Sequence, residues 1–161
     1  ELDADIVVEM DADFSHRPAD LPRLISALGE GADFVIGSRY VPGGTLPDAW
    51  GLRRRLLSRW GNRVARLLIP GCRKVRDCTA GFRAIRASLL RAVPLERMGM
   101  RGYIFQVALL HEGLRAGAHV REIPVSFDER LRGDSKLGVS DILEFAAWCL
   151  SARFRRKGLA E

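Results

Sequence analysis

The 161-residue sequence contains no long apolar run and few cysteines. No stretch approaches the ~20 consecutive apolar residues that a membrane-spanning helix requires, so the sequence predicts no such helix. The three cysteines, Cys72, Cys78 and Cys149, are odd in number and lack the spacing of zinc ligands. We therefore expect reduced thiols and neither a disulfide framework nor a zinc site.

Histidine, the commonest general base in enzymes, is also scarce. The only three are His16, His111 and His119, scattered along the chain. No motif places any of them beside a nucleophile, so each is predicted to be structural or solvent-facing. The sequence offers no persuasive general base.

Basic residues, by contrast, are abundant. Lysine and arginine number 26 against 20 acidic residues, which gives a net charge of +6 and a sequence pI near 9.9. Such a balance favours anionic partners: nucleic acid, phosphorylated small molecules or an acidic membrane surface. No helix-turn-helix, zinc-finger or RNA-binding signature accompanies the charge, so we expect no nucleic-acid partner.

Apolar periodicity predicts one α/β unit. Residues 6–10 read as a short buried parallel strand, 18–28 as a helix and 34–36 as a second buried strand. This order is a βαβ-type unit. Further elements are predicted as an arginine-rich helix at 52–69, strands at 82–85 and 120–127, and helices at 88–92, 104–116 and 139–156.

An acidic loop follows the first predicted strand. Asp11 and Asp13 stand one residue apart at its carboxyl end, where open α/β sheets place their ligands. Two such carboxylates can share Mg²⁺ or Mn²⁺, which can in turn bridge diphosphate oxygens. Aspartate also favours turns in general, and the second Asp-x-Asp, at residues 3–5, is interpreted as solvated.

A series of motifs, spread over nearly the whole chain, carries a family resemblance. In order these are Met10–Asp13, Gly37–Tyr40 with Gly43 and Gly44, Trp50, Arg54 and Ser58, Asp77–Arg83, Gly102–Gln106, Glu122–Arg130 and Gly133–Lys136. The series resembles the inverting family 2 glycosyltransferases that make polyprenyl-phosphate mannose, the dolichyl-phosphate mannose synthases included. The resemblance implies a GT-A (Rossmann-like) glycosyltransferase fold with a mostly parallel sheet and flanking helices.

The resemblance also implies a division of the chain. Residues 1–138 would form the C-terminal portion of the GT-A catalytic core, and residues 139–161 an amphipathic helix with a basic tail in the same domain. The family's N-terminal nucleotide-binding segment is expected to be missing. We therefore expect the 161-residue chain alone to bind GDP-mannose weakly and to be inactive by itself.

The implied reaction is transfer of mannose from GDP-mannose to the phosphate of polyprenyl or dolichyl phosphate. Asp11 and Asp13 would hold Mg²⁺ or Mn²⁺, as catalytic residues together with Arg39. Arg39, Arg54 and Ser58 match residues that grip the acceptor phosphate. The match also gives three donor-diphosphate residues: Arg130, Lys136 and Ser15, the last at a position where relatives often carry glutamine.

Alternatives remain open at this stage. The sugar donor could be another nucleotide-sugar such as UDP-glucose, and the chain could be an inactive remnant or a lipid-phosphate-binding fragment. Ala108 stands where relatives usually carry a glutamate. The helix at 52–69 could be a solvated basic face, and Asp77 and Thr79 could serve only to cap a turn.

The last predicted helix suggests peripheral contact with the cytoplasmic face of a membrane. Its apolar face, predicted as Val139, Ile142, Leu143, Ala146, Cys149 and Leu150, is widened by Phe145 and Trp148. The basic cluster Arg153, Arg155, Arg156 and Lys157 follows. Apolar and aromatic residues beside basic ones suit an interface with anionic lipid. The alternative is a core-packing helix with a solvated basic tail.

Overall fold

A computed structural model describes residues 3–98, 102–129 and 139–154. In chain order the strands and helices are β1 (Ile6–Glu9), α1 (Leu21–Gly29), β2 (Phe34–Ser38), α2 (Leu52–Leu68), β3 (Arg83–Arg86), α3 (Ala87–Ala92), α4 (Gly102–Arg115), β4 (Val120–Pro124) and α5 (Val139–Phe154). Every predicted helix and strand is present, with ends shifted by a few residues. The proposed boundary at residue 138 stays a prediction.

The four strands form one sheet in the order β1-β3-β2-β4. β2 pairs in parallel with β4, whereas β3 is antiparallel to both β1 and β2. β1, β2 and β4 therefore share one direction, which confirms the mostly parallel sheet for three strands. The reversal of β3 was not predicted, because a short apolar run carries no information on strand direction.

β1 corrects one expectation. It was predicted to be a buried parallel strand, but it pairs antiparallel with β3 and ends the described sheet. Val7 and Val8 are 40% and 37% exposed. An apolar run thus indicates a strand, yet among the described residues these two are only partly covered.

Helices cover both faces of the sheet, and β2 shows why. Phe34 and Ile36 point into the core formed with α2, α4 and α5, whereas Val35 points into the smaller core against α1. Successive side chains of a strand face opposite sides, so a strand buried on both faces is apolar throughout. Cys72, Cys78 and Cys149 are buried in the larger core as free thiols. Ala108 lies there too, so the position for which the family resemblance implies a glutamate is a packing position here.

α5 also differs from its predicted pattern. Phe145, Cys149 and Ala152 pack into the core, which confirms the core-packing alternative for that face. Two residues assigned to the same face point outward instead: Leu143 is 65% and Leu150 50% exposed. The helix is therefore apolar on two opposite sides. No helix among the described residues is long and apolar enough to cross a membrane.

The sheet gathers the motifs at one edge. The loops after β1, β2 and β4 leave at their carboxyl ends, which lie together because these strands run the same way. β3 runs the other way, so the segment before it, residues 77–82, enters at the same edge. Four motif-bearing segments distant in sequence thus meet there.

Candidate active site

The acidic loop has a defined local geometry. Asp13 Oδ1 accepts hydrogen bonds from the backbone N–H of Ser15 at 3.0 Å and from its hydroxyl at 2.5 Å. Phe14 between them has a φ of +65°, a left-handed conformation that is uncommon for a non-glycine residue. Strained backbone of this kind concentrates at functional sites. Ser15, predicted to contact the donor diphosphate, is fully buried and placed as the partner of Asp13.

His16 fixes the other end of the loop. Its Nδ1 accepts the backbone N–H of Asp11 at 3.1 Å, so its proton lies on Nε2. The ring is buried and stacks on Phe82 with a centroid distance of 5.0 Å. Burial, opposed by the nearby Asp11 carboxylate, lowers the pKa of His16 below its usual value. These contacts agree with the expectation of a structural histidine. One of them holds the backbone of Asp11, a predicted metal ligand.

The acidic side chains suit a hard divalent cation that also binds substrate. Asp11 is exposed, and its carboxylate lies beside Gly81, where a Cβ added to the glycine would meet Asp11 Oδ1 at 3.5 Å. No cluster of three or more histidine, cysteine, aspartate or glutamate side chains that could hold a metal occurs within the described ranges. Mg²⁺ is commonly bound by one or two carboxylates, with waters and substrate phosphates as its other ligands. Asp11 and Asp13 fit that kind of site.

Arg39 is held by a buried ion pair. Its Nε and Nη2 each donate to one carboxylate oxygen of Asp77 at 2.8 Å, and its backbone N–H donates to Oδ2 at 3.0 Å. Nη2 also donates to the Thr79 hydroxyl at 3.1 Å. Burial opposes ionisation of Asp77, but the Arg39 guanidinium overcomes it and holds the pKa of Asp77 below its usual value. Asp77 and Thr79 therefore do more than cap a turn.

Two further side chains anchor the segment that carries Asp77. Glu122 in β4 accepts the backbone N–H groups of Arg76 and Asp77 at 2.8 and 2.9 Å. Asn62 in α2 accepts the N–H of Cys78 at 2.7 Å and donates to the Thr79 hydroxyl at 3.2 Å. The ion pair is thus tied to both a strand and a helix.

The inward side of α2 supplies the other predicted acceptor residues. Arg54, Ser58 and Asn62 follow one another at four-residue spacing, which places them on one helix face. The Tyr40 hydroxyl donates to Ser58 Oγ at 2.7 Å, and the Arg39 guanidinium lies 5.6 Å from the Tyr40 ring centroid. The structure therefore brings Arg39 and Ser58 together through Tyr40.

Arg54 lies over an aromatic ring. Its guanidinium carbon lies 4.0 Å from the centroid of the Trp50 ring, well within the range of a cation–π interaction. Trp50 is buried and meets Phe127 edge-on at 5.6 Å. The helix is thus not simply a solvated basic face, since Arg54 is half-buried on its inward side.

A second polar cluster lies behind the acidic loop. Gln106 in α4 donates to the Glu9 carboxylate. Arg83 is fully buried and donates to the backbone oxygens of Gln106 and Cys78 at 2.6 and 3.1 Å. Burial lowers the pKa of Arg83 to about 10, with Glu9 and Asp77 opposing the shift, so it stays cationic at neutral pH. This cluster joins α4 to the strand that leads into Asp11.

Two donor-site residues cannot be placed: Arg130 and Lys136 lie outside the described residues, as do Arg155, Arg156 and Lys157. The roles assigned to Asp11, Asp13, Ser15, Arg39, Arg54 and Ser58 stay predictions, now with known positions. Sequence reasoning gave no role to Asn62 or Phe127. The four-residue spacing from Ser58 could have indicated Asn62, whereas nothing local indicated Phe127.

Comparison with known proteins identifies the family. The description "Glycosyl transferase family 2" matches residues 1–93, more than half of the chain. The chain belongs to glycosyltransferase family 2. This family 2 chain carries the predicted acidic loop and the Arg39 turn inside the matched range, whereas the loop after β4 lies beyond it.

Curated relatives narrow the resemblance. The chain is 42% identical over 155 residues to "Polyprenol monophosphomannose synthase" of Mycolicibacterium smegmatis, covering 94% of this chain and 57% of that protein. It is 41% identical over 154 residues to "Undecaprenyl-phosphate mannosyltransferase" of Micrococcus luteus, covering 93% and 62%. It is 37% identical over 147 residues to "Dolichol-phosphate mannosyltransferase" of Pyrococcus furiosus, covering 90% and 40%. The chain thus spans less than two thirds of the length of each.

Solved structures support the fold. Glucosyl-3-phosphoglycerate synthase from Mycobacterium tuberculosis, in complex with Mn²⁺, uridine diphosphate and phosphoglyceric acid, superposes with a TM-score of 0.63 over 95% of this chain and 50% of that one. The sequence identity is 21%. The Mn²⁺ and UDP-glucose complex of the same enzyme gives 0.57. The expected GT-A glycosyltransferase fold is confirmed.

Proposed function

We propose that this chain carries the catalytic centre for transfer of mannose from GDP-mannose to a polyprenyl or dolichyl phosphate, giving polyprenyl-phosphate mannose. One observation carries the proposal. Three relatives of 37–42% identity are each aligned over at least 90% of this chain. Their names describe either transfer of mannose to such a lipid phosphate or synthesis of a polyprenol monophosphomannose. The acceptor class is better supported than the donor, since GDP-mannose appears in none of these names.

The chemistry needs positioning more than proton transfer. A phosphate oxygen of the acceptor attacks the anomeric carbon of mannose while the bond from that carbon to the GDP oxygen breaks, so the configuration inverts. The second pKa of a phosphate monoester is about 6, so the nucleophile is already anionic at neutral pH. His16 Nδ1 accepts the backbone N–H of Asp11, so the proposal gives this histidine no proton-transfer role.

The acidic loop is assigned to the donor. Asp11 and Asp13 would hold Mg²⁺ or Mn²⁺, and the charge of that ion would offset the negative charge of the diphosphate. Ser15 orients Asp13 through two hydrogen bonds, and His16 fixes the backbone of Asp11. Ser15, Arg130 and Lys136 are proposed to complete the donor-diphosphate site.

The arginine side of the site is assigned to the acceptor. Arg54 and Ser58 on α2 and Arg39 after β2 lie at the same sheet edge as the acidic loop. A planar guanidinium suits phosphate because it can donate two parallel hydrogen bonds. Arg39 already makes such a pair with Asp77, so the bidentate contact with the phosphate is proposed for Arg54. With the acceptor phosphate on these residues, its nucleophilic oxygen would face a donor held at the acidic loop, which is the arrangement that a direct displacement requires.

The acceptor lipid also requires peripheral contact with a membrane, proposed here at its cytoplasmic face. The outward side of α2 exposes four large apolar residues beside arginines Arg59 and Arg63: Leu52, Leu56, Trp60 and Leu67. α5, which packs against α2, exposes Leu143, Leu150 and Phe154 on one side. Apolar side chains interspersed with arginines suit the interface of an anionic bilayer. The outward face of α2 thus has the combination of apolar, aromatic and basic residues that was predicted for α5.

The test is a transfer assay with several donors. The chain would be preceded by the N-terminal segment of the Mycolicibacterium relative, to supply the expected nucleotide-binding part, and assayed beside the chain alone. Radiolabelled GDP-mannose, UDP-glucose and GDP-glucose would each be offered with polyprenyl phosphate and Mg²⁺. Label from GDP-mannose in the lipid extract is the expected result.

Each other outcome has a distinct meaning. Preferential label from UDP-glucose would replace the donor but keep the acceptor. No product from a folded chimera that still binds polyprenyl phosphate would favour a lipid-phosphate-binding fragment. Activity of the 161-residue chain alone would contradict the expectation that it needs the additional segment.

A further inference from the structure

A row of packed rings runs along the candidate site. We call Phe82, His16, Phe127 and Trp50, in that spatial order, the aromatic row. His16 stacks on Phe82 at 5.0 Å and meets Phe127 edge-on at 5.0 Å. Phe127 in turn meets Trp50 edge-on at 5.6 Å. All four side chains are buried.

The aromatic row contacts three of the predicted site residues. His16 accepts the backbone N–H of Asp11, and the Arg54 guanidinium stacks on Trp50. The Arg39 guanidinium lies 5.4 Å from the ring centroid of Phe127 in the middle of the row. The row therefore sets the spacing between the acidic loop and both arginines.

We infer that Trp50 is a positioning residue for acceptor-phosphate binding, because its ring fixes the guanidinium of Arg54 in place relative to Arg39 and the acidic loop. This inference rests on the proposed function, in which Arg54 contacts the acceptor phosphate. The Arg54 guanidinium carbon lies over the Trp50 ring at 4.0 Å, and a guanidinium can lie on a ring by its flat face while it binds phosphate by its N–H edge. Trp50 can therefore hold Arg54 without competing with the ligand.

The stack would act chiefly by restricting Arg54 before the ligand arrives. A long arginine side chain loses much rotamer freedom when it binds phosphate. A guanidinium already held on a ring loses less on binding, so affinity rises without a new contact to the ligand. The rival interpretation is that Trp50 only fills space, since it is buried and its carbonyl accepts a hydrogen bond from Arg55.

A double-mutant cycle separates the two interpretations. Binding of geranyl phosphate, a short water-soluble polyprenyl phosphate, to the 161-residue chain would be measured by calorimetry. The variants are Trp50→Leu, Arg54→Gln and the pair together, with Trp50→Phe as the conservative replacement. We expect Trp50→Leu to weaken binding about five-fold and Trp50→Phe about two-fold, in line with the strength of cation–π contacts.

The decisive comparison is made in the Arg54→Gln background. There, Trp50→Leu should have no further effect, because the group that it positions is gone. An equal loss in both backgrounds, or no loss in either, would overturn the inference and leave Trp50 as a packing residue. Should Trp50→Leu fail to fold, the same cycle with Trp50→Phe decides, since a phenyl ring keeps most of the packing.

The proposed function fails in a different way. Wild-type chain that binds neither geranyl phosphate nor inorganic phosphate would contradict the assignment of the acceptor site, and the inference would fall with it. Binding of geranyl phosphate that is insensitive to Arg54→Gln would contradict the role of Arg54. Arg91→Gln, on α3 at the other end of the sheet, is the matched loss of one charge and should leave binding unchanged.

Discussion

Two arginines predicted for the same task are held by different means. Arg39 forms a bidentate ion pair with Asp77, and both side chains are buried, 8% and 0% exposed. Arg54 lies on the Trp50 ring in a half-buried position. One guanidinium is fixed by opposite charge in the interior, and the other is supported on an aromatic surface.

The difference predicts that the two arginines contribute unequally to folding stability and to ligand binding. A buried charge pair leaves an uncompensated charge when one partner is removed, so Arg39 and Asp77 should matter first for folding. A cation–π contact at a partly exposed site contributes little to folding. Arg54 should therefore matter first for the ligand. Substitutions at each of these positions test this contrast.

The largest expected effect is loss of the Asp77 charge. Asp77→Asn keeps the shape of the side chain but leaves Arg39 buried without its counter-charge. We expect the free energy of unfolding to fall by about 3–5 kcal/mol, measured by urea denaturation. Asp48→Asn is the matched control, because the Asp48 side chain is fully exposed and only loosely paired with Arg55. Equal stability of wild type and Asp77→Asn would refute the role of the pair.

The same pair predicts a pH dependence. The Asp77 pKa is lowered in the folded state, so its contribution to stability is present above the unfolded value near 3.9 and is lost as the pH falls through the folded value. The difference in unfolding free energy between wild type and Asp77→Asn should be constant from about pH 7 to pH 5. It should shrink only below about pH 4. Asp77 is the weakest of the charges that act on the pKa of His16, so titration of His16 should differ little between the two proteins. A difference in stability that disappeared near pH 6 would contradict this assignment.

Arg54 should show the opposite balance. Arg54→Gln removes a charged donor from the proposed acceptor site at a half-buried position. We expect affinity for polyprenyl phosphate to fall at least about ten-fold, since hydrogen bonds to charged groups contribute about 1.5–3 kcal/mol. The urea midpoint should move little. A variant that lost stability but kept affinity would reverse the contrast between the two arginines.

The smallest effect is expected at the hydrogen bond between these regions. Tyr40→Phe removes only the hydroxyl that donates to Ser58 Oγ. The free energy of unfolding should fall by about 1 kcal/mol, the usual net value of one hydrogen bond. Urea denaturation measures the change, and Ser58→Ala should give a similar loss. A combined loss equal to either single loss would show that the two substitutions remove the same interaction.

Much of the fold was predictable because it rests on local pattern. The continuous apolar run of β2 and the amphipathic spacing in α1 and α2 are patterns that the sequence displays directly. The direction of β3 and the exposure of β1 depend on neighbours that are distant in sequence. The two apolar sides of α5 were not predicted for the same reason, since spacing indicates where apolar side chains lie but not which of them a neighbour covers.

The candidate site divides in the same way. Asp11, Asp13, Arg39, Arg54 and Ser58 could be proposed from the sequence because they stand in motifs. The partner of Arg39 was undervalued because the contact closes over a long interval: Arg39 and Asp77 are 38 residues apart. His16 was judged structural from its isolation in the sequence. Its contacts with Asp11 and with the aromatic row show what it supports, namely the backbone of the acidic loop.

The central claim is that the acidic loop and the arginine side together transfer mannose to a lipid phosphate. Its most direct test follows labelled mannose from GDP-mannose into lipid extract as Mg²⁺ or Mn²⁺ is titrated, for wild-type and Asp13→Asn forms of the chain with the added N-terminal segment. We predict product that rises with metal and is nearly abolished in Asp13→Asn, with geranyl phosphate affinity unchanged. Product that forms equally well without metal, or equally well in Asp13→Asn, would contradict the claim.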